Sequence, residues 1–185
     1  MSGEGPQPGG RPPAPGELGI VQAFINTHYD LVHEHGAEVL ASPEALSRWL
    51  ADHGLAAGGL RLTDSDLDRA LEVREALREL AGGGVDECAL SPLHVALQMR
   101  LERSGPRFEP IAADGVDGAL AALPAIVARE MLTDRWSRLK VCPGHDCGWA
   151  FYDGSRNRTG RWCSMSVCGG RAKAKAHYRR QREVA

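Results

Sequence analysis

The sequence predicts a mainly α-helical fold with a small β-hairpin, in which a helical N-terminal domain precedes a cysteine-rich module that ends in a basic helix. Three observations support this prediction. Helix start and stop signals recur before residue 135. Four of the five cysteines lie between residues 142 and 168. The run AKAKAHYRRQRE follows the last of them, and alanine, lysine and arginine are strong helix formers.

Charge divides the chain into the same two parts. The 185 residues carry a net charge of −2. Residues 135–185 contain 12 Lys and Arg against 3 Asp and Glu, a net charge of +9. Residues 1–134 contain the other 10 against 21, a net charge of −11. This asymmetry suggests two separate tasks, and the basic part favours a polyanionic partner.

These features predict three regions. Residues 1–16 are rich in Gly and Pro, and we expect them to form a disordered tail. Residues 17–134 should form the mostly helical domain, and residues 135–185 the basic module. No stretch is long and apolar enough to span a membrane, and the N-terminus lacks the apolar core of a secretory signal. We therefore expect a cytoplasmic protein.

The N-terminal domain should begin with three helices. The first lies within residues 17–30, where apolar side chains recur on one helical face. Ser42 is the expected N-cap of the second, which begins at a proline. Thr63 and Asp66 resemble a capping box at the start of the third, which should stop at the glycines of 82–84.

Residues 91–134 give less uniform signals. Apolar residues alternate from Leu93 to Leu101, which is typical of a strand, but Ser91-Pro92 is a helix start. We expect a helix to about Gln98, then a hairpin of residues 99–103 and 107–112. An apolar helix over 117–134 should form the centre of the core, with Pro124 kinking it or marking its start.

Two arginines lie on the apolar face of the third helix. Arg74 and Arg78 share that face with Leu71 and Leu77, where an unpaired cation is costly. One interpretation is that they bind an anionic ligand in a sensory pocket. The other is that they pair with a core carboxylate or extend their charged ends to water. The sequence leaves both open.

The four clustered cysteines predict one structural zinc site. They follow the pattern Cys142-x4-Cys147-x15-Cys163-x4-Cys168, in which two pairs are separated by a hairpin-sized interval. Two disulfides are the alternative, but thiols stay reduced in the cytosol, so this spacing favours metal. His145 is not needed as a ligand, because four sulfurs fill the coordination shell. Cys88 is left over as a small, partly buried thiol.

The module should fold as a knuckle, a hairpin and a helix, a treble-clef-like arrangement. We expect residues 149–153 to pair with residues 161–163. Basic side chains surround the turn and follow the helix, where one-sign charge suits a phosphate backbone or a major groove. The candidate nucleic-acid contacts are Arg156, Arg158, Arg161, Arg171, Lys173, Lys175, Arg179, Arg180 and Arg182.

The segment from Phe151 to Lys173, with its Arg-Trp-Cys-Ser-Met block, resembles the CGNR-type zinc finger. That module forms the C-terminal part of a bacterial family of ABATE-domain proteins, thought to regulate transcription under stress. The namesake Asn is replaced here by Gly170, which removes one candidate cap or phosphate contact. The resemblance implies four zinc ligands and a helical N-terminal domain.

Residues 23–27 are similar to the opening of the ABATE domain, where an Asp-Phe-x-Asn-Thr run is typical. Asn26 and Thr27 match that run, whereas Ala23 replaces its acid. This pair could line a ligand pocket together with Arg74 and Arg78. It could instead cap or turn the chain.

Catalytic signatures are missing from the sequence. There is no glycine-rich phosphate loop, nucleophile elbow or HExxH motif. His28, His33 and His35 lie near acids and could bind a metal or act as acids and bases, but their spacing matches no specific pattern. A zinc with four sulfur ligands has no open position and is structural.

We therefore predict a zinc-dependent, DNA-binding transcription regulator that is not an enzyme. It would be bacterial and cytoplasmic, and associated with the nucleoid when bound. Its N-terminal domain would sense a small molecule or mediate assembly, for example as a homodimer. An RNA- or protein-binding zinc adaptor is the first alternative. A small-molecule enzyme using the N-terminal domain is the second.

Overall fold

The computed structural model describes residues 8–31, 34–35, 38–84, 86–111, 114–144 and 147–183. His33 and His145 lie outside these ranges, and the side chain of His35 is not described. The α-helices are α1 (Leu18–Ile25), α2 (Pro43–Asp52), α3 (Asp64–Gly82), α4 (Glu87–Leu90), α5 (Gly115–Leu132) and α6 (Gly170–Glu183). The strands are β1 (Asp30–Leu31), β2 (Glu34–His35), β3 (Leu97–Glu102), β4 (Gly105–Pro110), β5 (Leu139–Val141) and β6 (Ala150–Tyr152).

The apolar core belongs to the N-terminal domain and lies between α1, α2, α3 and α5. Phe24, Leu50, Leu77 and Leu123, one from each helix, are completely buried. Each such side chain contributes roughly 1.5–3 kcal/mol relative to leaving it in water. Helix α5 has the most buried residues of these four helices, as expected from its apolar composition. This domain therefore has a core that does not depend on the cysteines.

The predicted ends of α2 and α3 are confirmed. Ser42 Oγ accepts a hydrogen bond from the backbone N–H of Ala45 and caps α2. At the start of α3, the Thr63 hydroxyl accepts from the N–H of Asp66, and the Asp66 carboxylate accepts from the N–H of Thr63. The helix ends at Gly83, whose φ of 86° requires the left-handed region that glycine adopts freely.

Helix α5 runs through Pro124 rather than starting there. The proline removes one helical hydrogen bond, which ordinarily costs about 3 kcal/mol. Its neighbours Leu123 and Ala125 are buried against the core, so packing on both sides of the proline opposes that cost.

The predicted hairpin after residue 91 forms, but with different limits. A 3-10 turn covers Ser91–Leu93 only, so the helix expected to Gln98 is absent among the described residues of this segment. Strands β3 and β4 pair antiparallel with Glu102 opposite Gly105, which leaves a two-residue turn, residues 103–104. Pro106 lies in β4, not in the turn. A strand tolerates proline where its missing N–H would point away from the neighbouring strand.

The predicted hairpin within the cysteine-rich module is wrong in its pairing. Strand β6 pairs with β5, with Lys140 opposite Phe151, and not with residues 161–163. Leu139 of β5 and Ala150 of β6 are buried in the N-terminal core, which fixes this pairing. Residues 154–163 form a loop. The first cysteine pair therefore lies in the turn of the β5–β6 hairpin.

The described part of the N-terminal tail differs from the disordered segment expected for residues 1–16. Ala14 is buried in the N-terminal core, and its N–H donates to the Gln22 side chain at 2.7 Å. Arg11 reaches the cysteine-rich module. Residues 1–7 lie outside the described ranges. Within those ranges no helix has the length and apolar character needed to cross a bilayer.

Candidate metal centre and nucleic-acid interface

The four predicted cysteines converge on one buried point. The sulfur atoms of Cys142, Cys147, Cys163 and Cys168 all lie within 4.8 Å of one another, and none forms a disulfide. Two of the Sγ–Sγ distances, Cys147–Cys163 and Cys163–Cys168, are 3.6 Å. A tetrahedral zinc with Zn–S bonds of 2.3 Å requires sulfurs about 3.8 Å apart. The residues present therefore fit a four-sulfur zinc site, and the disulfide alternative is excluded.

The electrostatics of the cluster favour a cation. Hydrogen bonds from the thiols of Cys147 and Cys163 lower the pKa of Cys142 to about 2. The hydrogen bond with Cys142 raises the pKa of Cys147 to about 12 and raises that of Cys163 as well. Without a metal, one thiolate thus suppresses ionisation of its neighbours. A divalent cation removes this conflict, because it binds all four groups as thiolates.

Two turns position the sulfurs, and glycines make both possible. In the first, the N–H of Cys147 donates to Gly144 O. A Cβ at Gly144 would lie 3.1 Å from the Cys168 sulfur, so a side chain there would press into the site. In the second turn, Ser164 Oγ accepts from Val167 N–H, and a Cβ at Gly169 would lie 2.8 Å from the Met165 sulfur.

Gly170, which replaces the family asparagine, has no such constraint. It is exposed and has helical angles, φ −62° and ψ −47°. A Cβ there would meet only Met165 O, at an ordinary 3.6 Å. The loss of the asparagine at this position is therefore not enforced by space.

The loop after β6 is held by the buried ion pair of Asp153 with Lys140 and by the hydrogen bonds around it. Asp153 is completely buried, and its carboxylate accepts from Lys140 Nζ at 2.8 Å, Ser155 Oγ at 2.6 Å and Gly160 N–H at 2.7 Å. Burial alone would raise the pKa of Asp153, but the hydrogen bonds from Lys140 and Ser155 hold it well below its ordinary value. Lys140 also donates to the carbonyls of Arg158 and Gly160. This network fixes the path of the loop that carries Arg156 and Arg158.

All nine basic residues predicted to contact nucleic acid are exposed. Arg158 pairs with Asp134, the last residue of the N-terminal domain, and the Arg161 guanidinium lies 5.7 Å from the Trp162 ring centre. Arg158 has a φ of 52°, an unusual value for a residue other than glycine. The Asp134 pairing therefore fixes one loop arginine in place.

Helix α6 begins two residues after the last cysteine and carries six of these cations. Its 14 residues span about 21 Å. None of its described residues belongs to either buried cluster, so the helix is not held by a core of its own. The turn that contains Cys168 directly precedes it, and a metal bound there would fix where it starts.

The metal module is docked on the N-terminal domain by buried hydrogen bonds. Asn26 Nδ2 donates to Ala150 O at 2.9 Å, and the N–H of Ala150 donates to Asn26 Oδ1 at 2.8 Å. Gln22, one turn earlier on α1, also donates to Ala150 O. The Tyr29 ring meets Trp149 edge to face at 4.2 Å. The hydrogen bonds of Asn26 and Gln22 therefore attach the end of α1 to the backbone of β6.

The four residues considered for a ligand pocket have protein partners instead. Arg74 is buried and donates to Glu38 at 2.7 Å, to Glu75 at 2.9 Å and to Thr27 Oγ1 at 3.2 Å. Thr27 also donates to Phe24 O. Arg78 donates to Glu75 and to three backbone carbonyls, those of Ile25, His28 and Gly148. Asn26 and Arg78 therefore join the two parts of the chain, through Ala150 and Gly148, whereas Arg74 and Thr27 are paired within the N-terminal domain.

Arg11 contacts the backbone at Cys163, one of the four clustered cysteines. Its guanidinium donates to Cys163 O and Trp162 O, each at 3.1 Å, and lies 4.7 Å above the Phe151 ring. No sequence pattern indicates this contact. A pattern does exist for Gln22 and Asn26, since these two polar residues are four positions apart and share a helical face beside Leu18 and Ile25. The Lys140–Asp153 pair could be anticipated only from the β5–β6 pairing.

His28 does not take part in a metal site. Its Nδ1 atom lies 3.7 Å from a Glu38 oxygen. Within the described ranges, the four cysteines are the single group of potential ligands close enough to hold an ion.

Comparison with protein families matches both parts of the chain. The model of the ABATE family, described as "Putative stress-induced transcription regulator", matches residues 19–136. The model of the CGNR zinc finger matches residues 138–181. No curated protein matches the chain. The boundary between the two matches falls just before β5. That strand lies in the zinc-finger match, but its Leu139 side chain is buried in the N-terminal core.

Proposed function

Because the chain belongs to the ABATE family and ends in a CGNR zinc finger, we propose that it is a zinc-dependent transcription regulator that binds DNA through α6 and the neighbouring loop. The observation that carries this proposal is α6 itself. Six exposed cations follow a helix that begins at the zinc site and packs in no core. Like charges along one segment repel one another, and such basic segments often bind a partner of opposite sign such as nucleic acid.

The dimensions of α6 suit duplex DNA. An α-helix is about 10–12 Å wide with its side chains, and the major groove is about 12 Å wide. Arg171, Lys175, Arg179 and Arg182 follow one edge of the helix, whereas Lys173 and Arg180 lie on the opposite side, because successive residues turn by about 100°. Basic side chains on opposite sides of the helix can contact the phosphates on both sides of a groove. Arginine is also the side chain that most often binds guanine edges.

The N-terminal domain supports this function by holding the finger. Hydrogen bonds from Asn26 and Gln22 to Ala150, and from Arg78 to Gly148, attach β6 and the residue before Trp149 to the domain.

We place the ligand-sensing hypothesis at a different site, a cavity of about 370 Å³ between α3, α5 and the 3-10 turn. Val73, Leu120 and Ala121 line it with Arg69 and His94. Ala121→Trp, which fills this cavity, should abolish any response of DNA binding to the dialysable fraction of a cell extract.

The proposal includes no catalytic residue. A zinc with four sulfur ligands offers no position for a water or a substrate, and its chemistry is to supply folding energy. The protein's own residues then do the binding, through charge on α6 and on the loop that Asp153 braces.

The test is selection from fragmented genomic DNA by the zinc-loaded protein at ~150 mM salt, where non-specific phosphate binding is weak. We expect a few fragments that share a sequence. The matched control is a variant with Arg171, Lys175 and Arg180 changed to Ala, which keeps the zinc ligands. Selection of no DNA, together with capture of RNA by the same protein, would reject the DNA proposal in favour of an RNA-binding adaptor.

A further inference from the structure

The β3–β4 hairpin has one closed edge and one open edge. The N–H of Ile111 donates to the carbonyl oxygen of Ala96, so Ala96 and Ile111 form a hydrogen-bonded pair. Such pairs alternate along an antiparallel ladder, so the backbone groups of Leu97, Met99 and Leu101 in β3 point away from β4. In β4 the outward positions are Pro106, Phe108 and Pro110.

The two edges differ in the residues at their outward positions. Two of the three outward positions of β4 are prolines, which have no N–H and block further pairing. That strand also packs against α5. The outward positions of β3 contain no proline, and β3 has no second strand beside it within the described part of the chain. Strand β3 therefore presents a row of donors and acceptors ready to pair.

The residues at the outward positions of this strand have apolar side chains, whereas an open edge is usually protected by charge. Leu101 is 81% exposed and Met99 is 56% exposed. Leu97 lies on the same face and is half-buried. Natural proteins protect open edges with lysine, proline or a bulge, and the outward positions of β3 use none of these. An open apolar edge of this kind marks a surface that a partner covers.

We propose that this partner is a second copy of the chain, joined by antiparallel pairing of β3 with the same strand across a two-fold axis. Centring the axis on Met99 pairs five residues, 97–101. Met99 then faces Met99 of the second copy, and each Leu97 faces a Leu101. On the opposite face each Gln98 is set against an Arg100, so no like charges lie directly opposite each other. The result is a four-stranded sheet across the dimer.

Neighbouring registers are less favourable. Centring the axis on Arg100 would place two arginines directly opposite each other, which is destabilising. Centring it on Leu101 would pair Arg100 with Glu102, but only residues 100–102 of the strand would remain paired. A two-fold interface must be self-complementary, and the Met99-centred register is the one in which the apolar face meets these conditions.

The first test is the mass of the zinc-loaded full chain in solution, measured by light scattering over a range of concentrations. We expect twice the 19.9 kDa chain mass. Leu101→Lys and Met99→Pro should each weaken the dimer at least tenfold, because one charges the apolar face and the other blocks the edge without removing a bond to β4. The control is Leu132→Lys, the same type of change at a residue 62% exposed on α5.

The second test determines the register by disulfide formation in a Cys88→Ser background. Residues opposite each other in a hydrogen-bonded pair have Cα atoms about 5.5 Å apart, within disulfide range. Met99→Cys should therefore cross-link two chains, and Leu101→Cys alone should not. A monomer at every concentration would overturn the proposal. So would a dimer that Leu101→Lys and Met99→Pro leave unchanged.

Discussion

The two parts of this chain are held together by different means. The N-terminal domain buries aliphatic and aromatic side chains from four helices. The zinc finger's own cluster has six buried residues, of which four are cysteines. A module of that size cannot bury enough apolar surface to fold alone, so it depends on the metal and on the domain beside it. Stability in one part comes from burial, and in the other from coordination and polar contacts.

This comparison predicts that zinc removal has the largest effect and acts on one part only. Cys163→Ser, or a strong chelator, should unfold the finger, since structural zinc supplies on the order of 10 kcal/mol to such modules. The N-terminal domain should keep its own thermal transition, because α1, α2, α3 and α5 pack without the cysteines. Zinc content and calorimetry measure the two effects. Cys88→Ser, at an exposed thiol, is the control and should change neither. A zinc-loaded, folded Cys163→Ser protein would contradict the ligand set.

The next largest effect is expected at Asp153. Asp153→Asn removes the charge that Lys140 pairs with inside the finger, and we expect a loss of roughly 3 kcal/mol in the free energy of unfolding. Denaturant unfolding of the zinc-loaded protein measures it. Asp134→Asn, which breaks the exposed pair with Arg158, should cost much less, because exposed ion pairs are screened by solvent and contribute little to stability. Equal losses in the two variants would show that the buried Lys140–Asp153 pair contributes no more to the free energy of unfolding than the exposed Asp134–Arg158 pair.

The lowered pKa of Asp153 gives this effect a pH dependence. A carboxyl group with a depressed folded-state pKa stabilises the protein fully above its unfolded value of about 3.9. The contribution is lost as the pH falls through the lower, folded-state pKa. The difference between the wild type and Asp153→Asn should therefore be constant at neutral pH and shrink below about pH 4.

Asn26 tests the joint between the two parts. Asn26→Ala leaves the N–H of Ala150 without its partner, and we expect a loss of about 2 kcal/mol. Amide exchange should accelerate in β5 and β6, while zinc content stays the same. Asn157→Ala, in the exposed loop, is the matched control. Unchanged exchange at Ala150 would mean that the Asn26 hydrogen bonds do not hold the joint.

Arg11 should have the smallest effect of the four. Arg11→Ala removes two hydrogen bonds to the backbone around Cys163, worth about 1–2 kcal/mol. Zinc release to a chromogenic chelator should become up to about tenfold faster. Arg61→Ala, at an exposed arginine outside the finger, should release zinc at the wild-type rate. A wild-type rate for Arg11→Ala would show that the tail does not support the metal site.

The same comparison explains what the sequence could predict. Helix caps such as Ser42 and Thr63 are local, and cysteine spacing follows from tetrahedral coordination, so both are readable from residues near one another. The β5–β6 pairing is not local, because it depends on Leu139 and Ala150 entering a core formed by distant helices. Arg74 and Arg78 are unusual because they lie on an apolar helical face, but their partners Glu38 and Gly148 are far away in sequence. The sequence therefore predicts that these arginines need partners, whereas the fold is required to identify the partners.

The most direct test of the central claim is the salt dependence of DNA affinity for the wild type, Arg171→Ala and Lys175→Ala. Each lost phosphate contact should weaken binding and reduce the slope of log affinity against log salt concentration by about 0.9. Arg61→Ala should leave the slope unchanged. We expect shallower slopes for the two α6 variants with zinc content intact. Wild-type affinity and slope in both would contradict the assignment of α6 as the DNA-binding surface.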